Sequence, residues 1–310
     1  MLKILYWNIK KKSDKLLKEL ETLSNKHDII ILAEVSEPES KLKKNGTNLD
    51  SIINSISSKT GFQYADNNKN AWLHLWSRDK VNIELVEIYD KIRKPKDIAD
   101  KECGDSEYFA YYLNKFERMQ FYKVNFSNVE FLLVPIHFPS RIYASVDKQK
   151  DISVHFRKFI ERIEIKYNLK SIIVGDFNMN PFEKGMIHHE SFHALPTQHL
   201  DSEIEFYEDP YRTFYNPTWE KYGDYNVING VVKQKPSGSY FLKQSNDLNY
   251  YWYLFDQVIL RKELIKYFSF EDFQILTSVN SENDLLNNDF SPNDKKYSDH
   301  LPISFTLKIQ

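Results

Sequence analysis

The stretch that most constrains the fold is Ile172-Ile173-Val174-Gly175-Asp176-Phe177-Asn178-Met179-Asn180-Pro181. Its opening run of β-branched residues reads as a strand buried on both faces. The run breaks at a glycine and then delivers a carboxylate and a carboxamide two residues apart. A carboxylate at the end of a buried strand is costly unless something pairs with it or coordinates it. Asn178 offers both a donor and an acceptor beside it. The pattern calls for a sheet covered on both sides, with a polar site at its strand ends.

Other segments repeat it. Residues 2–8 form an apolar strand ending at Trp7-Asn8, and Asp28-Ile29-Ile30-Ile31-Leu32-Ala33 runs straight into Glu34. Between them, Ser13 is positioned to cap a helix over roughly 13–26, a crossover length. A second amphipathic helix is expected over 48–60, stopped by Gly61, followed by strands near 71–77 and 81–88. Residues 90–107 are charged and broken by Pro95 and Gly104, a surface excursion placed to cover a site. Strands follow over 108–113, 117–125 and 130–137, the last ending in His137. A long helix is expected within 144–167, and residues 182–250 are turn-rich. Later strands fall near 238–243, 251–260, 273–278 and 301–307, with Ser298-Asp299-His300 directly before the last. Strands in runs, with helices interposed, predict two packed sheets with helices outside.

Composition narrows the classes. The 310 residues contain no linker-like or repetitive tract, so a single domain over 1–310 is expected. A formal net charge of −2 supplies no general attraction to nucleic acid, so any phosphate affinity must be local. The single cysteine, Cys103, excludes an intramolecular disulfide and fits a reducing compartment. The first residues lack the basic and long apolar regions of a signal peptide. No stretch approaches the roughly 20 apolar residues of a membrane span. A cytoplasmic location is expected. The 20 Tyr and 21 Phe are read as core filling ahead of a base-stacking surface.

The strand-end polar residues form a chemically coherent set: Asn8, Glu34, His137, Asp176 with Asn178, and Asp299 with His300. Asp256, inside Tyr253-Leu254-Phe255-Asp256-Gln257-Val258-Ile259-Leu260, joins them. Each has an ordinary structural explanation taken singly; their joint occurrence at strand ends does not. Hard oxygen donors without cysteine or clustered-histidine partners favour Mg²⁺ or Mn²⁺ over zinc. Histidines near carboxylates suit proton transfer or stabilisation of a charged transition state. Together they point to metal-assisted phosphoester hydrolysis.

On these residues the sequence resembles the endonuclease/exonuclease/phosphatase superfamily, which includes deoxyribonuclease I. The matching elements are Tyr6-Trp7-Asn8, Ala33-Glu34, Pro135-Ile136-His137, Gly175-Asp176-Phe177-Asn178, Phe255-Asp256-Gln257-Val258 and Ser298-Asp299-His300. They follow the family's order and span residues 6–300. The resemblance implies a four-layer α/β/β/α sandwich with its site at the strand ends. It implies metal ligation by Glu34, with Asn8 and Asp299 assisting. Asp176 would activate water, Asn178 would hold the phosphate, and His300, oriented by Asp256, would contact it. His137 would be the second histidine. The family usually shows an Arg/His-Ile-Asp-Tyr-like pattern where this chain reads Leu254-Phe255-Asp256-Gln257.

Arg141, four residues past His137, is read as a phosphate-binding cation, with Lys10-Lys11-Lys12 and Lys295-Lys296 as lesser candidates. His188, His189, His193 and His199 match no zinc template. Asn216-Pro217-Thr218-Trp219 reads as a substrate-side turn or a core anchor. The expected function is a Mg²⁺- or Mn²⁺-dependent phosphodiesterase on nucleic acid, DNA ahead of RNA. The alternatives are a small phosphoester substrate (phosphoinositide, sphingomyelin or nucleotide) or a binding protein on the same fold.

Overall fold

The computed structural model describes residues 1–35, 49–65, 72–86, 118–199, 203–206, 209–228, 230–243, 250–282 and 284–309. The expected excursion over 90–107, the strand over 108–113 and Cys103 lie outside the described residues.

The chain opens with β1 (Leu2–Asn8), α1 (Leu17–Ser24), β2 (Ile29–Ala33), α2 (Leu49–Thr60), β3 (Gln63–Tyr64), β4 (Leu73–Ser77) and β5 (Asn82–Leu85). Next come β6 (Tyr122–Phe126), β7 (Val129–His137), α3 (Val146–Tyr167), β8 (Ser171–Asp176) and α4 (Lys184–Ile187). The turn-rich region holds β9 (Ala194–Leu195), β10 (Glu203–Phe206), β11 (Asp209–Arg212), β12 (Phe214–Tyr215), β13 (Tyr225–Ile228), β14 (Val231–Gln234), β15 (Tyr240–Phe241) and β16 (Trp252–Tyr253). The chain closes with β17 (Asp256–Leu260), β18 (Phe268–Ile275) and β19 (Ile303–Leu307).

Two mixed sheets form, β18-β19-β1-β2-β4-β3 and β5-β6-β7-β8-β17-β12-β9. Period-2 alternation sends Ile4, Tyr6, Ile31 and Leu75 of the first sheet against Leu133, Ile172, Val174 and Val258 of the second. The opposite faces are covered by helices. Trp7, Ile30 and Leu32 pack with α1 and α2 through Leu20, Leu23, Ile53 and Ile56. Val134 and Ile173 pack with α3 through Phe156, Phe159 and Ile160. The result is an α/β/β/α sandwich, and sheets covered on both faces explain why β2 and β8 read as unbroken apolar runs.

Several boundaries differ from the sequence reading: the strand expected over 117–125 runs over Tyr122–Phe126, and the one expected over 251–260 divides into β16, paired with β15, and β17 of the seven-stranded sheet. The helix expected over 13–26 is split: Ser13–Lys15 is a 3₁₀ turn, and α1 begins at Leu17. Leu16, with φ −102° and ψ 7°, interrupts the helix, and the Ser13 side chain makes no cap. The strand expected over 273–278 begins earlier, at Phe268, where it pairs with Leu307. By contrast α3 starts where a cap directs it, the Ser145 hydroxyl accepting the Lys148 N–H. Arg261 locks α3 onto the sheet, buried against Glu164 at 2.9 Å and over the Phe214 ring at 3.7 Å.

Gly175 sets the approach of β8 to β7. A Cβ there would sit 1.9 Å from the Ile136 carbonyl oxygen, inside the parallel register Ile136↔Gly175. Gly175→Ala is therefore expected to destabilise the protein by about 3 kcal/mol or more, at the upper end of core overpacking. Urea unfolding followed by circular dichroism measures it; a loss under about 1 kcal/mol would mean that the strands move apart freely.

Candidate active site

The edge where the inward-facing apolar pattern ends is where the polar residues meet. His137, Asp176 and Asp256 lie side by side on neighbouring strands, in the register His137↔Asp176 and Asp256↔Asp176. They continue the inward parity of Leu133, Val174 and Val258, so each side chain enters the space between the sheets. Asn8 arrives from β1 by the same parity, after Ile4 and Tyr6. Glu34 lies one residue past β2, and a left-handed backbone (φ 51°) accompanies its turn into the site. Asn178 also has positive φ, 50°. Non-glycine residues in this region carry strain of order 1–3 kcal/mol, and such strain clusters at functional sites.

The contacts form one network. Asn8 Nδ2 donates to Glu34 Oε1 at 3.2 Å and to Asp176 Oδ2 at 3.3 Å. His137 Nε2 lies 3.4 Å from Glu34 Oε1 and 3.6 Å from Asp176 Oδ2. His300 Nδ1 is 2.8 Å from Asp256 Oδ2, with its Nε2 3.8 Å from Asp176 Oδ2. The Asn178 N–H donates to Asp176 Oδ1 at 2.8 Å, and Asn178 Nδ2 donates to the Phe138 carbonyl at 2.8 Å. At this edge one bond crosses between the sheets and two hold the segment carrying Ser298 and His300 against β1. The Asp176 N–H donates to Tyr6 Oη, Trp7 Nε1 donates to the His300 carbonyl, and Ser298 Oγ donates to the Asn8 carbonyl. An aromatic ring covers each histidine: Trp72 lies 5.5 Å from His137, and Tyr240 lies 4.6 Å from His300.

Asp176 and Asp256 are almost completely buried. Their ligand oxygens and a His300 nitrogen lie within 4.8 Å of one another. Two carboxylates at that separation repel by roughly 3.5 kcal/mol at an effective dielectric constant of about 20. The titration behaviour follows. Burial, with Asp256 adding to it, raises the Asp176 carboxyl above its ordinary value despite the opposing histidines. Burial would depress His300, but Asp256 and Asp176 outweigh it and push the imidazole up to about 10. Burial would raise Glu34, but hydrogen bonding and charge from His137, with Asn8, hold it down to about 2. At neutral pH Glu34 is ionised and His300 is a cation.

These donors fit a hard divalent cation: they are carboxylates and a carboxamide in a region of excess negative charge, and Asp256 Oδ1 is buried without a hydrogen-bond partner. Two placements compete. Asp176, Asp256 and His300 form a group whose donor atoms all lie within 4.8 Å of one another. His300 Nδ1 is already engaged by Asp256 at 2.8 Å, whereas Glu34 and Asn8 lie together on the opposite sheet as oxygen donors, the second placement. Asp299, the third expected ligand, has its carboxylate 2.6 Å from Lys10 Nζ and 3.5 Å from Ser298 Oγ, the hydroxyl that donates to the Asn8 carbonyl.

Arg141 is not brought into this cluster, because Glu183 takes its guanidinium. Lys10 is held by Asp299, and Lys12 Nζ donates to the Asp294 carbonyl. Lys296 lies over the Tyr297 ring. His188 and His189 stack at 4.3 Å, and with Glu190 they do converge, although Lys150 Nζ sits 2.9 Å from the Glu190 carboxylate. Trp219 packs against Phe182, and the buried Asn216 bonds Gln257, so that turn is a core anchor. The sequence reading missed Trp72, Tyr240 and Arg118. Arg118 Nη1 donates to the His137 carbonyl, and its guanidinium lies over Trp72.

No protein-family model and no curated protein matches the sequence. Solved structures do resemble it. The mannosyl-6-phosphatase Bt3783 of Bacteroides thetaiotaomicron aligns over 99% of each chain, at 13% identity and a TM-score of 0.54. An endonuclease/exonuclease/phosphatase family protein of the same organism aligns over 99% of this chain and 94% of its own, at 14% identity and a TM-score of 0.51. Truncated TDP2 of Caenorhabditis elegans covers 98% of this chain and 97% of its own, at 14% identity and a TM-score of 0.49.

The charge state of His300 is directly measurable. In chelator-treated protein, histidine NMR is expected to show one imidazole protonated through neutral pH, releasing its proton only near pH 10. Asp256→Asn removes the largest favourable interaction and should bring that titration down toward the ordinary histidine value. A wild type in which no histidine resonance stays protonated above neutral pH, all nine titrating near or below 6.5, would contradict the pairing.

Proposed function

We propose that this chain, which has the fold of the endonuclease/exonuclease/phosphatase proteins, is a phosphoester hydrolase that uses a divalent cation, Mg²⁺ or Mn²⁺. The observation that carries the proposal is the 2.8 Å pairing of His300 with Asp256, whose strand neighbours Asp176 and His137 complete a buried row that reaches Glu34 through His137.

Each group has a task in the displacement of an alcohol from phosphorus by water. Asp176, its basicity raised by burial, accepts the proton of the attacking water; it is within reach of Asn8 and both histidines. His300 presents its Nε2 proton to a non-bridging phosphate oxygen, and Asp256 fixes the ring and sustains its charge. The Asn178 carboxamide, anchored on the Phe138 carbonyl, keeps one further N–H for the phosphate. His137 supplies the second imidazole. Glu34 and Asn8, with Asp299, would hold the cation, which when bound polarises the phosphoryl oxygens.

The first reading of the substrate is a nucleic-acid phosphodiester, DNA ahead of RNA, supported by the Gly175-Asp176-Phe177-Asn178 motif within the ordered set of family motifs. A second reading, a small phosphoester, is favoured by a cavity of about 410 Å³ next to Asp299 and Tyr240. Asp289, Asp294 and Asp299 line it together with Lys243 and Lys10, the latter paired with Asp299. A phosphatase among the structures of this fold is compatible with it.

The test incubates the protein and Mg²⁺ or Mn²⁺ with supercoiled plasmid, linear DNA, RNA, sugar and inositol phosphates, and bis(p-nitrophenyl) phosphate. Metal-dependent release of nitrophenol is expected, with His300→Gln slower by roughly 10²- to 10⁴-fold. Plasmid nicking selects the first substrate reading; small phosphates hydrolysed with the plasmid intact select the second. No hydrolysis of any substrate with either cation would contradict the proposal.

A further inference from the structure

Arg118 differs from the other buried arginines of this protein. Arg261 is met by Glu164 at 2.9 Å and Arg157 by Glu161 at 3.2 Å. Arg118 is mostly buried beside the site, yet among the described residues no carboxylate comes within ion-pairing distance of it. What holds it is neutral: the Trp72 indole, 5.3 Å below the guanidinium, and the His137 carbonyl, 3.2 Å from Nη1. A guanidinium taken out of water without an anion carries a large desolvation cost, which is why buried charges are ordinarily paired. Here burial lowers the pKa of the group, while Asp176 and Glu34 act on it through space and push the other way. Among the described residues the charge is therefore oriented by the site's field and met by no carboxylate partner.

Its neighbours tie it to the reaction centre. The Arg118 carbonyl accepts the His137 N–H at 2.9 Å, which fixes its backbone beside that histidine. Trp72, the platform under the guanidinium, packs on the His137 ring, and its carbonyl accepts the Glu34 N–H at 3.0 Å. Trp72 thus touches the arginine and the histidine through its indole and holds the Glu34 backbone through its carbonyl. Among the described residues the guanidinium spends one N–H on the His137 carbonyl and retains several others in a rigid plane. Two such donors match the spacing of two oxygens of one phosphate, a geometry that an ammonium cannot reproduce.

We propose that Arg118 binds the non-bridging oxygens of the scissile phosphate and is the phosphate-recognition cation of this site, the part the sequence had suggested for Arg141. The proposal rests on the phosphoester reading for its role in turnover, but its binding claim stands apart from turnover. The Trp72 platform holds the guanidinium plane, and the unspent N–H groups close on the phosphate from the His137 side of the cleft. Arg141, already engaged by Glu183, contributes nothing to that grip.

The experiment is calorimetric titration of inorganic phosphate, in Mg²⁺, into the wild type and into Arg118→Gln, Arg118→Lys and Arg141→Gln. Turnover of bis(p-nitrophenyl) phosphate is followed in parallel. Hydrogen bonds to charged groups of the usual strength predict that Arg118→Gln weakens phosphate binding roughly 10- to 100-fold. Arg118→Lys should fall between it and the wild type, and Arg141→Gln should change little. For turnover, kcat/KM should fall in step with phosphate affinity, and added guanidinium ion should restore part of it. If Arg118→Gln does not fold, Arg118→Lys with guanidinium ion carries the same comparison. Unchanged phosphate affinity in folded Arg118 variants would overturn the proposal, as would wild-type protein that binds no phosphate. Loss of kcat alone, without rescue, would reduce Arg118 to a structural support for His137. A wild type that binds phosphate through Arg118 but hydrolyses nothing would instead overturn the functional reading and leave the binding role intact.

Discussion

Asp176 and Asp256 face each other across neighbouring strands with almost no access to water, and much of the site's organisation answers that repulsion. Left alone, such a pair would protonate or force the strands apart. His300 resolves the conflict by taking a proton and placing Nδ1 on Asp256 and Nε2 toward Asp176. Asn8 and the Asn178 N–H supply further donors to Asp176. The same arrangement produces chemical asymmetry: one carboxylate holds an imidazolium, while the other keeps a raised affinity for a proton. Acid–base roles separate when neighbouring groups are pushed apart in this way.

Rigid support makes that separation possible. The row His137, Asp176 and Asp256 is spaced by β-sheet hydrogen bonding, not by flexible loops. Gly175 lets β8 come close enough to β7 for the row to form. Tyr6 and Trp7, adjacent in β1, reach to opposite sides: the Tyr6 hydroxyl receives the Asp176 N–H, and the Trp7 indole donates to the His300 carbonyl. The Tyr6 bond fastens the two sheets to each other at the edge that carries the charges. Strain at Glu34 and Asn178 is tolerated because the surrounding network determines both positions.

Much of this was legible in the sequence because strand parity is local. Apolar residues at alternate positions ending in Asn8, His137 and Asp176 announce an inward face that turns polar at its rim. The two covered sheets followed from the unbroken runs in β2 and β8, and α3 falls within the 144–167 expected for a long helix. What was not legible depends on long-range choices. The sequence cannot show that Glu183 captures Arg141, that Asp299 captures Lys10, or that Trp72 brings Arg118 beside His137 across a gap of 46 positions in the numbering. A helix expected over 13–26 lost its first turn to the backbone geometry at Leu16, which no propensity scale records. Glu34 was found by adjacency to β2, whereas its inward turn comes with a left-handed backbone invisible in the composition.

The measurement that bears most directly on this account is Mn²⁺ binding followed by electron paramagnetic resonance in the wild type, Glu34→Gln and His300→Gln. A cation held on the Glu34 and Asn8 side, with His300 acting as a proton carrier, predicts saturable binding by the wild type. Glu34→Gln should weaken it by roughly one to two orders of magnitude, the scale of losing a charged contact, and His300→Gln should bind nearly as the wild type does. Loss in His300→Gln with retention in Glu34→Gln would place the cation on the Asp176–Asp256–His300 group and contradict the division of roles; absence of binding in the wild type would contradict the metal-assisted mechanism itself.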